Sequence, residues 1–166
     1  ALKARVKLLS IHKNDINQII SILDDRVSLS FIQNKKNIQE IGKSIYIVSG
    51  GFKEIIGPIV KSYGILDENI FANEFSYDNN NYINGINEKN LLSHSDGKVR
   101  AVKTLDLSNG GYAIGDGSTD LEIKSVKGIK AFICFTENIN RKTVSSRADY
   151  IVSSFHEVIK IINRND

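Results

Sequence analysis

The β-branched run Ser44-Ile45-Tyr46-Ile47-Val48 ends in Ser49-Gly50-Gly51, and the apolar run Gly111-Tyr112-Ala113-Ile114 ends in Gly115-Asp116-Gly117. Short apolar strands that break into glycine between amphipathic helical stretches are the pattern of an α/β fold. After Gly51 the apolar positions Phe52, Ile55, Ile56, Ile59, Val60 and Tyr63 share one side of a helix, so this part reads strand, glycine turn, helix. The only proline, Pro58, falls inside that helix and is expected to remove a hydrogen bond and kink it.

The remaining segments extend the alternation. Residues 1–42 read as helical, with Leu2, Val6 and Leu9, then Ile16, Ile19, Ile20 and Leu23, close to one-face spacing. Ile70-Phe71-Ala72 reads as a short strand, and residues 74–77 and 82–85 as a hairpin about the Asp/Asn-rich turn 78–81. A helix is expected from Lys98 with Val102 and Leu105 inward, then strands at 111–114, 130–135 and 149–152 and a helix over 155–162. The series predicts a mainly parallel sheet with helices on both faces, in which ligands gather at the carboxyl ends of strands. Both glycine turns stand at such ends.

At 166 residues one domain is expected, long enough to bury roughly 70% of its unfolded surface. The net charge of +3 arises from scattered Lys and Arg, which argues against a nucleic-acid footprint. No apolar stretch reaches the ~20 residues of a membrane span, and no signal-peptide pattern opens the chain. The single Cys134 lies in an apolar run as a core residue and cannot form an internal disulfide, so a reducing, cytoplasmic setting is expected. His12, His94 and His156 fall in unrelated contexts without a second ligand at metal spacing.

Three motifs carry chemistry. Gly115-Asp116-Gly117-Ser118-Thr119-Asp120 sets two carboxylates four residues apart behind glycines that let an ion approach the backbone. Mg²⁺ takes such oxygen ligands together with substrate phosphate and water; a calcium site or a solvated loop has the same residues. Ser49-Gly50 offers a hydroxyl and an open amide at a helix start, which suits a phosphate and equally suits a helix cap. Lys98, opening a helix after a polar run, places an ammonium that neutralises a phosphoryl group or simply faces solvent.

In this order the motifs resemble those of the haloacid dehalogenase (HAD) superfamily of phosphohydrolases, and more narrowly its phosphoserine phosphatases. The runs Val48-Ser49-Gly50-Gly51-Phe52, Asn69-Ile70-Phe71-Ala72-Asn73 and Ile114-Gly115-Asp116-Gly117-Ser118-Thr119-Asp120 follow that family's sequence of motifs. The opening Leu2-Lys3-Ala4-Arg5-Val6-Lys7-Leu8-Leu9 is similar to its cap helix, and Phe135-Thr136-Glu137-Asn138 with Arg147-Ala148-Asp149-Tyr150-Ile151 to some bacterial versions. The resemblance implies a three-layer, Rossmann-like α/β core over residues 41–166, with 1–40 a remnant of a helical cap. It implies that Ser49, Gly50, Lys98 and Thr119 bind phosphate, that Lys98 and Asp116 serve catalysis, that Asp116 and Asp120 hold Mg²⁺, and that Arg5 pairs with a substrate carboxylate. It implies Mg²⁺-dependent hydrolysis of a small phosphomonoester, O-phosphoserine, in serine biosynthesis, by a protein able to form a homodimer.

The family's first motif, Asp-x-Asp-x-Thr/Ser, is absent, and no Asp-x-Asp occurs in the chain. In the family its first Asp is the nucleophile and its second the general acid and base. Without them negligible turnover is expected, since phosphomonoester hydrolysis demands accelerations of up to ~10²¹. Together with the absence of methionine, this reads as a chain cut from a longer or fused polypeptide, with the central first strand of the sheet missing. The strands at 44–48 and 111–114 are then expected to flank a gap or collapse together, exposing apolar side chains. The alternatives are a non-catalytic phosphate-binding or regulatory module and a phosphatase for another small phosphomonoester.

Overall fold

A computed structural model describes residues 2–164, so residues 1, 165 and 166 of the expected segments 1–40 and 41–166 lie outside the described residues. Two compact units are present, one formed up to Val27 and by Lys36–Gly97, the other by Ser28–Lys35 and from Lys98 onward. Residues 1–40 thus supply helices to both.

In the first unit, helices α1 (Leu2–Val6), α2 (Ile16–Asp24) and α4 (Lys35–Ile41, from Lys36 on) precede strand β1 (Ile47–Phe52) and helix α5 (Lys53–Lys61). Strands β2 (Ile70–Asn73), β3 (Phe75–Tyr77) and β4 (Ile83–Ile86) complete it. Val6, Ile16, Phe75, Ile83 and Ile86 form a common core, with Phe52 stacked on Phe75 at 3.8 Å between ring centroids. The expected hairpin is β3–β4, and Asp78 closes its turn by accepting from the amides of Asn80 and Tyr82. The turn chemistry was readable because an Asp carboxylate bonds backbone amides two or more residues on.

β1 differs from expectation at both ends. A 3-10 turn over Gly42–Ser44 takes the first residue of the expected strand, which begins instead at Ile47 and continues through Ser49-Gly50-Gly51 to Phe52 where a turn was expected. β1 pairs in parallel with β2 through Ile47↔Ile70, Val48↔Phe71 and Phe52↔Asn73, so four steps along β1 match two along β2. The glycines are the bulge: surplus residues bend one strand out of register, and glycine accommodates that at least cost. α5 is continuous through an exposed Pro58, and no contact accounts for the proline.

The second unit holds α3 (Leu29–Gln33), α6 (Gly97–Val102, from Lys98 on), β5 (Gly111–Gly115), α7 (Ser118–Leu121), β6 (Ile129–Phe135), α8 (Lys142–Ser145), β7 (Tyr150–Val152) and α9 (Phe155–Arg164). β5, β6 and β7 form a parallel sheet with β6 central. β6 is the continuous apolar run of a strand covered on both faces, and Phe132, Ile133 and Cys134 are fully buried. Burial pushes the Cys134 thiol above its usual range, so it is an inert core residue. Asp149 ties β6 to the turn before β7: it accepts from Lys124 Nζ at 2.7 Å and from the Phe132 amide at 2.8 Å, and these bonds hold its carboxyl below the ordinary range. α6 stops at Val102, so Leu105 falls beyond the helix expected to carry it.

The fold class is therefore α/β with parallel strands, as expected. Among the described residues β1 pairs only with β2 and β5 only with β6, so the two strands expected on either side of a missing one belong to separate ladders.

Candidate active site

The carboxyl end of β5 is set by its partner. Ala113, Ile114 and Gly115 lie in register with Phe132, Ile133 and Cys134, so the buried central strand fixes where β5 releases Asp116. Gly117 leads into α7, a single turn that carries Thr119 and Asp120. Lys98, near the start of α6, reaches Asp120: Nζ stands 2.5 Å from Oδ1, with the two side chains 20% and 15% exposed. The Gly117 amide donates to the other oxygen, Oδ2, at 3.0 Å. Both Asp120 oxygens are thus occupied, one by an ammonium and one by backbone.

At this degree of burial the Lys98–Asp120 pair is screened less than a surface ion pair, and each partner offsets the cost of desolvating the other. The pair orients the ammonium beside the β5 exit. Gly115 makes the approach possible, because a Cβ there would overlap the Cβ, Cγ and Oδ2 of Asp120.

Asp116 is in a different state. Its side chain is 45% exposed, and its Oδ2 forms an ion pair with Nη1 of Arg141, a residue just ahead of α8; the same nitrogen donates to the Asp116 carbonyl at 3.2 Å. A half-exposed carboxylate at a strand end is the oxygen donor a hard cation takes, and the guanidinium occupies it as a counter-cation. Among the described residues no three His, Cys, Asp or Glu side chains stand together as a metal cluster, so Asp116 offers a hard cation a single carboxylate, which the cation would have to take from Arg141. Arg141→Ala is expected to tighten Mn²⁺ binding by up to about fivefold, the size of an exposed ion pair of at most about 1 kcal/mol. Electron paramagnetic resonance of free Mn²⁺ reads this directly; Asp116→Asn should abolish the site, and unchanged affinity in Arg141→Ala would show that the ion pair does not compete.

Thr119 is exposed on α7, and its side chain makes no hydrogen bond among the described residues. The other expected site residues lie in the first unit. Ser49 is half-buried in β1, and its Oγ accepts from the Gly51 amide at 3.0 Å, a local bond that shapes the bulge. Gly50 is exposed, and no atom stands within 4 Å of where its Cβ would be. Arg5, on α1, is exposed and makes no ion pair among the described residues. His12 accepts from the Asn14 amide and caps the 3-10 turn Lys13–Asp15.

Two residues near these motifs were not singled out from the sequence. Arg141 was findable: β5 and β6 run parallel, so the segment after β6 emerges at the same sheet end as Asp116. Asn73, at the end of β2, donates from Nδ2 to the Gly50 carbonyl at 2.9 Å; it was visible only as part of a motif string, since its partner lies 23 residues away.

A family model described as haloacid dehalogenase-like hydrolase matches residues 33–123. The chain is 31% identical over 166 residues to the chloroplastic phosphoserine phosphatase of Arabidopsis thaliana, covering 98% of this chain and 56% of that one. It is 29% identical over 163 residues to the phosphoserine phosphatase of Drosophila melanogaster, covering 96% and 60%. It therefore spans less than two thirds of either relative. A phosphoserine phosphohydrolase-like protein from Francisella tularensis superposes with a TM-score of 0.67 at 24% identity, over 87% of this chain and 69% of that one, a likeness of fold.

Proposed function

Because the chain belongs to the haloacid dehalogenase-like hydrolases, we infer that it forms the phosphate- and metal-binding part of a phosphomonoester hydrolase acting on O-phosphoserine. The observation that carries this reading is the half-buried Lys98–Asp120 pair beside the accessible carboxylate of Asp116 at the end of β5. An oriented ammonium neutralises charge on transferring phosphoryl oxygens, and a preorganised charge of this kind acts without reorganisation during reaction. Mg²⁺ taken up at Asp116 would supply further neutralisation of phosphate charge.

The other residues extend the reading. The Ser49 hydroxyl and Gly50 amide take phosphoryl oxygens, Thr119 also binds phosphate, and Arg5, exposed and without an ion pair among the described residues, takes the substrate carboxylate, for which a planar guanidinium is a bidentate match. The substrate class is supported by the likeness to the Arabidopsis and Drosophila proteins that carry the phosphoserine phosphatase name. Hydrolysis yields serine and phosphate, a last step of serine biosynthesis. Among the described residues no helix is long and apolar enough to cross a membrane, and the buried free thiol of Cys134 suits a reducing compartment such as the cytoplasm.

The nucleophile must come from outside these residues, since no Asp-x-Asp occurs among them. The test joins the chain to an upstream segment carrying Asp-x-Asp-x-Thr and follows phosphate release from O-phosphoserine and from glycerol phosphate, with and without Mg²⁺. The joined protein should hydrolyse phosphoserine preferentially and only with Mg²⁺, Arg5→Ala should erase the preference, and the chain alone should show no turnover. Equal rates on the ester lacking a carboxylate would sink the substrate assignment. The missing motif also favours a second reading, a non-catalytic phosphate-binding module; binding of phosphoserine without turnover in the joined protein would select it.

A further inference from the structure

The amide of Asn73 is fully buried and only half satisfied. Its Nδ2 donates to the Gly50 carbonyl at 2.9 Å, while its Oδ1 is buried without a hydrogen-bond partner among the described residues. The orientation is forced, because a carbonyl only accepts and so only the NH₂ end can face Gly50. Most buried polar atoms are paired, and an unpaired acceptor in a core is costly enough to need a reason. Stability alone favours an apolar side chain at the end of β2. An asparagine kept there serves its donor end.

That donor holds the one irregular stretch of β1. Register is kept at Val48↔Phe71 and recovered at Phe52↔Asn73, and between these points the backbone of Ser49-Gly50-Gly51 departs from the ladder. Two side chains grip the Gly50–Gly51 peptide from its two polar ends. Asn73 takes the Gly50 carbonyl, and Ser49 Oγ takes the Gly51 amide. A trans peptide is planar with its C=O and N–H opposed, so these bonds together fix the plane of the unit and with it the direction of the chain at Gly50. Around Gly50 the space is open.

We propose that Asn73 is a positioning residue that holds the Ser49-Gly50-Gly51 bulge in the shape that presents the Gly50 amide and Ser49 hydroxyl to a phosphoryl group. This rests on the phosphoryl-binding reading of Ser49 and Gly50 given above. Asn73 touches no phosphate in this scheme and acts through the peptide it pins. The scheme separates it from Asn69 of the same unit, also buried, whose Nδ2 donates to the carbonyls of Lys43 and Ile45 ahead of β1 and away from the bulge.

The test titrates the ¹⁵N-labelled chain with inorganic phosphate at constant ionic strength, with chloride as the control anion, and follows the Gly50 and Gly51 amides and the Asn73 side-chain NH₂. In the unmodified chain all three should shift with one common midpoint. Asn73→Ala, and Asn73→Leu, which fills the space of the side chain but has no polar hydrogen to donate, should weaken the Gly50 response about tenfold, the usual order for one lost hydrogen bond. Asn69→Ala should lower thermal stability yet leave the phosphate midpoint unchanged. An Asn73 NH₂ signal indifferent to phosphate while Gly50 shifts overturns the proposal without any variant, and an undiminished response in Asn73→Leu overturns it as well. Equal weakening in Asn69→Ala also overturns it, by assigning the effect to general destabilisation. If Gly50 in the unmodified chain shows no phosphate-specific shift, the phosphoryl-binding reading itself fails and takes this proposal with it.

Discussion

Gly115→Ala should destabilise the second unit by about 3 kcal/mol, at the upper end of the range for overpacking. The added methyl would overlap three atoms of Asp120, and one of them, Cβ, cannot move without moving the backbone of α7. Asp120 of α7 is itself held at both oxygens, by the Gly117 amide on Oδ2 and by Lys98 of α6 on Oδ1. Relief of the clash therefore costs the ion pair as well as local packing. A urea midpoint gives the stability, and the Lys98 Nζ resonance reports whether the pair survives. Gly50→Ala is the matched control. It meets no atom within 4 Å, so its stability change should stay within about 1 kcal/mol of zero, with restriction of the unfolded chain favouring alanine. A Gly115→Ala midpoint as small as that of Gly50→Ala would show that the turn has room the geometry denies.

The contrast between these glycines marks what the sequence discloses. Both stand in glycine-rich strand ends and look alike as letters, yet one abuts a carboxylate and the other faces open space. What was legible had a local cause. The β6 run is apolar at nearly every position because both faces are covered, and the β3–β4 turn is rich in Asp and Asn because those side chains bond nearby amides. The β1 bulge was misjudged as a turn because glycine permits both, and only the partner strand decides between them.

Side-chain pairing over long separations was not legible at all. Lys98 and Asp120 were each identified as site residues by motif order, with roles on phosphate and metal. The structure spends both Asp120 oxygens on Lys98 and the Gly117 amide, 22 and 3 residues away. No periodicity announces such a contact. Arg141 on Asp116 is an intermediate case, since parallel strand order brings the two segments to one sheet end without naming the residue.

Glu137→Ala should cost about 3 kcal/mol, for a reason invisible in sequence. Glu137 lies beyond β6, and its carboxylate holds Ser30 of α3 across 107 residues: Oε1 accepts from the Ser30 amide at 2.9 Å and Oε2 pairs with the Ser30 hydroxyl. Ser30 is only 6% exposed, and its Oγ accepts in turn from the Phe155 amide at 2.8 Å. That amide is the first of α9, one of the helix-start donors without an intrahelical partner, so a serine on another helix caps α9. Phe31 packs edge-on against Phe155 beside it, with centroids 4.8 Å apart. Hydrogen bonds to a charged acceptor are each worth roughly 1.5–3 kcal/mol, and their loss leaves a buried amide and hydroxyl unpaired.

Glu137→Gln should recover about half of the loss. Its carbonyl still accepts from the Ser30 amide, but its NH₂ meets a hydroxyl that must then accept twice and leave its own proton unused. In a double-mutant cycle with Ser30→Ala the two losses should fall short of additivity by at least about 1 kcal/mol, because each single change already breaks the shared bond. Hydrogen exchange locates the effect: the Phe155 amide should lose protection in Ser30→Ala and, to a lesser degree, in Glu137→Ala, whose serine hydroxyl remains but is no longer held. A Glu137→Ala stability within 0.5 kcal/mol of the unmodified chain, or strict additivity in the cycle, would mean that packing of Phe31 on Phe155 and not the carboxylate holds α3 against α9.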